Sequence, residues 1–186
     1  PGFFLLNTAR PSSSVVTAAI LLRRAEFSET SFIVTWCTER AGKLRTVARG
    51  ARRPGNAFAG ALDLFYLDEI SVTLARRSDL HALREAILID PHEGLRRHYL
   101  RFRLAGYFCA LIDRVAEPDH PAPELFELLR RALGYLQGAD PDRATLLHYE
   151  RRLGAALGLG AQTDAAERLV HAFGRLPAER DALLRD

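Results

Sequence analysis

The sequence predicts an α+β fold: a five-stranded β-barrel over residues 1–90, then an all-helical domain over residues 91–186. Three observations lead there. Up to about residue 90, β-branched and aromatic residues recur with period two in short runs broken by turn formers. Past Asp90-Pro91 the period becomes that of helices. An apolar share of 48% over 186 residues supplies a core for one large domain or two small ones.

The strands come first. Residues 15–22 read as a buried strand, and residues 31–38 alternate so that Phe32, Val34 and Trp36 share one face. Glu39, Arg40, Ala41 and Gly42 then make a turn. Across residues 43–49 the alternation puts Lys43, Arg45 and Arg49 on one side and Leu44, Thr46 and Ala48 on the other, which gives a positively charged strand face. Residues 50–60, with three glycines and Pro54, read as a mobile loop carrying Arg52 and Arg53. Strands at 62–74 and 80–89 complete the set, and five short strands in this length suit a barrel of the OB type.

The helices follow. Residues 94–116 carry Leu95, Tyr99, Phe102, Gly106 and Cys109 at three-to-four spacing. A second helix opens at Pro123-Glu124, buries Leu125, Leu129 and Leu133, and stops at Gly138. A third has Asp140 as N-cap with Pro141 next and runs to the glycines at 158 and 160. Thr163 or Asp164 caps a fourth, and Pro177 begins a short tail. There is no internal repeat, and no low-complexity segment beyond Ser12 to Ser14.

A net charge of +3 is mild, so its distribution matters more than its size. Arg40, Lys43, Arg45, Arg49, Arg52 and Arg53 stand together with no acid among them. Lys43 is the only lysine; arginine offers a donor fork suited to phosphate, although a coding bias toward arginine gives the same preference. Cys37 and Cys109 are too few for a disulfide framework or a cysteine metal site, which fits a reducing cytoplasm. No apolar run approaches the roughly 18 residues of a membrane span, and residues 1–10 lack the order of a signal peptide. The absence of methionine points to a longer native product.

Catalytic chemistry has little to stand on. His81, His92, His98, His120, His148 and His171 show no metal-ligand spacing and read as surface or cap residues. No phosphate-cradling glycine loop follows a strand. Asp63, Asp68 and Glu69 form an imaginable metal cluster, but a solvated strand face explains them better. The expectation is therefore a non-enzymatic protein with no cofactor and no metal.

Binding phosphate needs only cations displayed along a track, and the release of counterions supplies the affinity. Arg40, Lys43, Arg45, Arg49, Arg52 and Arg53 are the candidate track, with Arg97 and Arg101, one helical turn apart, as its extension. Arg23, Arg24, Arg76 and Arg77 lie near strand ends, and Arg96 and Arg103 on the first helix. Among Trp36, Phe58, Phe65 and Tyr66, Phe58 on the glycine-rich loop is the best stacking candidate, since Trp36 belongs to the core face. In the helical half, Arg130, Arg131, Arg151 and Arg152 beside leucine-rich faces are candidates for holding an acidic peptide, against the default of solvated surface arginines.

The order of Ala19-Ile20-Leu21-Leu22-Arg23-Arg24, Ser28-Glu29-Thr30-Ser31, Gly42-Lys43-Leu44-Arg45 and above all Val47-Ala48-Arg49-Gly50-Ala51-Arg52-Arg53-Pro54 resembles the amino-terminal domain of RecO, the bacterial recombination mediators. Phe58, Leu62 and Leu83-Arg84-Glu85-Ala86 continue the match, while residues 123–129 and 149–153 fit the helical domain more loosely. The resemblance implies a protein that binds single- and double-stranded DNA and anneals complementary strands. It also implies association with the acidic tail of single-strand-binding protein and with RecR, to help load the RecA recombinase. Many members of that family carry a four-cysteine zinc site in the helical domain; no cysteine follows Leu159 here, so zinc is not expected. Two other readings stay open: an adaptor whose helical domain docks an acidic peptide with minor nucleic-acid contact, and an RNA-binding protein of the OB type.

Overall fold

Strand β1 (Ser14–Glu26) is apolar on both sides for half its length, and the architecture follows from that. The computed structural model describes residues 13–160 and 164–185. Ser12, the opening residues 1–10 and Thr163 as a cap lie outside them. β2 (Phe32–Thr38), β3 (Gly42–Ala48), β4 (Leu67–Thr73) and β5 (Leu80–Asp90) join β1 in a closed barrel of order β1-β2-β3-β5-β4. The expected five-stranded barrel is therefore present. β1 serves two partners: Ser14–Ile20 pairs with β4, and Ala19–Glu26 with β2, with a register break between Leu21 and Arg23. A short parallel pairing of β3 with β5, Arg45–Val47 beside Leu80–Ala82, closes the cylinder.

Alternation sorts the side chains of β1 onto two cores. Ala19 and Leu21 point inward to Val34, Trp36, Leu44, Ile70 and Val72. Ile20 and Leu22 point outward, with Cys37, to the helices. Inside the barrel the indole N–H of Trp36 donates to Thr46 Oγ1 at 2.9 Å, which satisfies a group that would otherwise be buried without a partner. Burial pushes the Cys37 thiol up to about 12 and raises that of Cys109 as well, so both stay protonated core residues.

A 3-10 turn (Glu93–Arg97) links the barrel to helices α1 (Tyr99–Val115), α2 (Pro123–Leu136), α3 (Arg143–Ala156), α4 (Ala165–Phe173) and α5 (Glu179–Leu183). α1 is the central rod: Leu104, Phe108, Leu111 and Ile112 are each no more than 1% exposed and share a core with Leu129, Leu133, Leu146, Leu153 and Leu169. Barrel and helices thus meet across one continuous apolar layer.

Three element boundaries differ from expectation. The strand placed at 62–74 begins only at Leu67, because residues 62–66 turn across the barrel end with Phe65 in the left-handed region at φ 70°. Its amide donates to Leu21 O at 3.1 Å and its ring meets Phe102 edge-on at 5.2 Å, so the turn is fixed on both sides. The helix placed from residue 94 is broken at His98, which is extended. Nearby, His92 Nδ1 bonds the Phe65 carbonyl at 2.7 Å. The third helix is capped by Asp142, not Asp140: Asp142 accepts the Thr145 amide at 3.0 Å while Thr145 Oγ1 accepts the Asp142 amide at 3.2 Å, a reciprocal box. Among the described residues no helix is long and apolar enough to cross a membrane.

Candidate nucleic-acid interface

β3 carries the basic stretch, and the structure divides that stretch into three parts. Arg40 sits at the β2–β3 turn, 71% exposed and 4.0 Å from Glu39. Arg49 follows the opposite end of β3. Seven residues at about 3.3 Å each separate the two ends by roughly 20 Å.

The middle of the strand is occupied by the protein itself. Lys43, 13% exposed, donates to the carbonyl of Asp113 and lies 3.6 Å from its carboxylate, so it ties the barrel to α1. Asp119 N donates to Lys43 O at 3.0 Å, laying residues 118–119 along the start of β3. That approach requires Gly42: at φ +69° any Cβ there would stand 1.8 Å from the His120 carbonyl oxygen. Arg45 pairs with Asp79 from the β4–β5 connection. The expected open cationic face of Lys43, Arg45 and Arg49 is therefore corrected, because two of its three members are spent on carboxylates.

The far end is different. Among the described residues Arg49 and Arg53 have no acidic partner, and both are exposed. Arg52 is half-engaged: its guanidinium donates to Ser28 O at 2.8 Å, meets Glu26 at 3.1 Å and lies 5.8 Å from the centre of the Phe32 ring. Its amide donates to Thr30 O at 3.1 Å, which fastens the loop to the β1–β2 turn. Asn56 stiffens the loop further, accepting from the Phe58 amide and donating to the Arg53 carbonyl, both at 2.8 Å. The loop expected to be mobile is thus hydrogen-bonded in place.

The aromatic expectations change accordingly. Phe58 is 7% exposed and packs into the barrel core with Trp36 and Leu62, so it does not offer a stacking face. Trp36 and Phe65 are buried too. Tyr66 alone of those four is partly exposed, with the Arg96 guanidinium 5.2 Å from its ring centre.

The helical extension separates into a surface residue and an internal one. Arg97 is 76% exposed on the 3-10 turn and 3.7 Å from Glu93. Arg101, 15% exposed, donates to Gln137 O at 2.9 Å and to Asp140 at 3.3 Å, so it locks α1 to the end of α2 and does not continue a surface track.

Of the four helical arginines, Arg131 and Arg152 line a cleft of about 570 Å³ between α2 and α3. Its floor is Phe108 stacked on Tyr149, ring centres 3.8 Å apart, with Leu128, Ala132 and Tyr135 on its walls. Among the described residues Tyr149 Oη is buried with no hydrogen-bond partner. Arg130 and Arg131 both bond Glu127, which they hold at about 2, well below the usual carboxylate range. Arg151 lies outside this cleft, beside Glu150 and Ala165.

Several buried polar groups escaped sequence reasoning. Glu150, 1% exposed, accepts from Tyr107 Oη at 2.5 Å and takes Arg180 in a two-pronged bond at 2.6 and 2.9 Å, so it joins α1, α3 and α5. Its acidic identity on a leucine-spaced helix face was the available signal. His81, read as a surface residue, is 3% exposed; its Nδ1 accepts the Ala75 amide at 3.0 Å, which leaves Nε2 to donate to Asp119 at 2.7 Å. His92 is likewise buried. Asp68, read as solvated, is fully buried and among the described residues has no hydrogen-bond partner, and burial raises its carboxyl to about 7. Asp63 binds Arg96 at 3.0 Å. Among the described residues no group of three or more His, Cys, Asp or Glu side chains is placed to hold a metal.

Comparison with known proteins agrees with this architecture. Residues 13–92 match the family described as Recombination protein O N terminal, and residues 96–167 match Recombination protein O C terminal. The DNA repair protein RecO of Geobacter metallireducens is 38% identical over 128 residues, 69% of this chain and 52% of that protein. The RecO of Anaeromyxobacter dehalogenans strain 2CP-C is 33% identical over 168 residues, 90% of this chain and 66% of the relative. That of Bacillus subtilis strain 168 is 32% identical over 136 residues, 73% and 52%. The chain spans between about half and two thirds of the length of these relatives.

Proposed function

The chain belongs to the RecO family of DNA repair proteins, and from that premise we propose that it is a non-enzymatic mediator which binds and anneals DNA through the arginine-bearing end of its barrel. The observation that carries this reading is the local charge balance. Among the described residues Arg49, just past β3, and Arg53, on the stiffened loop, are exposed cations without acidic partners, with Arg52 beside them. Such groups neutralise phosphates on any sequence, since backbone contacts carry little base information. Two neutralised strands repel each other less, which is what annealing needs. No catalytic group enters this scheme, and its setting is the bacterial cytoplasm.

A second element of the same proposal concerns the cleft between α2 and α3. An apolar floor of stacked Phe108 and Tyr149, rimmed by Arg152 and by Arg131 in its pair with Glu127, suits an acidic peptide that ends in an apolar or aromatic residue, the chemistry of the single-strand-binding protein tail. Holding that tail while the barrel arginines hold DNA would place this protein on coated single strands. Association with RecR and assistance in loading the RecA recombinase complete the proposed role. The adaptor alternative uses the same cleft with only minor nucleic-acid contact.

The test is annealing of complementary strands, naked and precoated with single-strand-binding protein. We expect the parent to anneal both, the Arg49→Ala, Arg52→Ala, Arg53→Ala triple variant to lose both, and Arg152→Glu to lose only the coated reaction. Undiminished annealing by the triple variant would move the DNA site elsewhere.

A further inference from the structure

The barrel end that carries Arg49 and Arg53 also holds a cleft of about 300 Å³, at the small end of ligand sites. It lies where Arg24 leaves β1, Phe32 opens β2 and the loop from Ala51 to Tyr66 folds across the barrel mouth. Its walls combine flat π surfaces with guanidinium groups. In the wall the Arg24 guanidinium is 4.8 Å from the centre of the Phe32 ring, and Arg96, outside the lining, is 5.2 Å from that of Tyr66.

Those guanidiniums are positioned, not loose. Arg24 donates to the carbonyl of Leu62 and Arg96 donates to Asp63 at 3.0 Å, so each plane is held beside its ring. The one carboxylate in the wall, Asp63, is matched by Arg96 and does not oppose an anionic ligand. Gly60 contributes no side chain to the rim, and a Cβ there would meet nothing within 4 Å. Asn56 has both ends of its amide engaged within the loop, so the cleft keeps its shape.

From this arrangement we infer a site for one unstacked nucleotide of a single DNA strand, its base against Tyr66 and its flanking phosphates on Arg49 and Arg53. The inference rests on the DNA-binding reading above and adds to it a means of telling unpaired from paired strands. Every base has a π face, so stacking on a phenol tolerates any sequence. A base in a duplex is already stacked and paired, and entering the cleft costs it both. Phosphate contacts at Arg49 and Arg53 serve either form of DNA; the cleft rewards only the unpaired one.

The test compares an oligothymidylate with a strand of equal length and charge whose central residues lack bases, each titrated into the full chain over a range of salt. A stacked base contributes about 1–3 kcal/mol, so the parent should bind the base-bearing strand roughly 5- to 150-fold tighter. Tyr66→Leu should bind both strands at the abasic level, Tyr66→Phe should restore the preference, and the salt slope should be the same for all three. The half-exposed position of Tyr66 lets these variants keep the parent's circular dichroism spectrum. Equal binding of both strands by the parent, with a steep salt slope, overturns the base site and leaves the phosphate reading standing. A preference that survives Tyr66→Leu overturns it as well. Competition by free thymidine monophosphate as strong as by the strand would mean that the cleft takes a free nucleotide instead. No binding of either strand removes both readings.

Discussion

The body of strand β3 and the segment that follows it carry similar charges into different surroundings. Lys43 and Arg45, in its body, face Asp113 and Asp79, whereas Arg49, past its end, and Arg53, on the loop beyond, face solvent. A cation already bound to a carboxylate releases no net counterion when DNA arrives, because its charge is matched before and after. The comparison teaches that a run of basic residues is not a binding surface until its internal partners are subtracted. In this chain the subtraction moves the proposed interface from the strand face to the barrel end.

The same distinction governs stability, and variants can break it in order of size. Arg180→Ala leaves Glu150 buried without its partner guanidinium and is expected to cost about 3–5 kcal/mol in urea denaturation, with DNA affinity of the folded fraction unchanged. A cost near zero would mean that the buried pair is not holding α5 to α1 and α3.

Asp68 is the opposite case, a buried carboxyl with no partner among the described residues. Its folded value of about 7 exceeds the unfolded one of about 3.9. The folded state therefore binds the proton more tightly, and stability falls as pH rises through that window. Asp68→Asn cannot ionise, so it should be more stable than the parent above pH 7, by roughly 1–3 kcal/mol, with the gain shrinking toward pH 4. Thermal melts across that range decide it; a gain that does not vary with pH contradicts the assignment.

Lys43→Ala removes a bound cation and its link to α1, and should cost about 1–2 kcal/mol of stability while leaving the salt dependence of DNA binding as it was. Arg49→Ala and Arg53→Ala should do the reverse. Each is expected to change stability by no more than about 0.5 kcal/mol, yet to lower the salt slope for a single strand by roughly 0.7.

Much of the fold was legible because the signals were local. The alternation of Phe32, Val34 and Trp36 predicts the inward face of β2 that the barrel has, and the shift to helical spacing after Asp90 predicts α1 and α2. The turn at 62–66 was not legible, since its apolar residues fit a strand equally well and only contact with Leu21 and Phe102 fixes Phe65 in its turn. The proposed site was half legible. Arg49 and Arg53 follow from the sequence, but the partners that occupy Lys43, Arg45 and Arg101 lie 34 to 70 positions away along the chain. Phe58 misled for a related reason: a glycine-rich loop suggests exposure, whereas Asn56 folds this one back over the barrel mouth.

The most direct test of the account is the salt slope of single-strand binding for two double variants set against the parent. Arg49→Ala with Arg53→Ala should lower the slope by roughly 1.4, two phosphate contacts at about 0.7 each. Lys43→Ala with Arg45→Ala should leave it unchanged. A slope that falls for the second pair and holds for the first would place the DNA on the strand face and contradict the assignment to the barrel end.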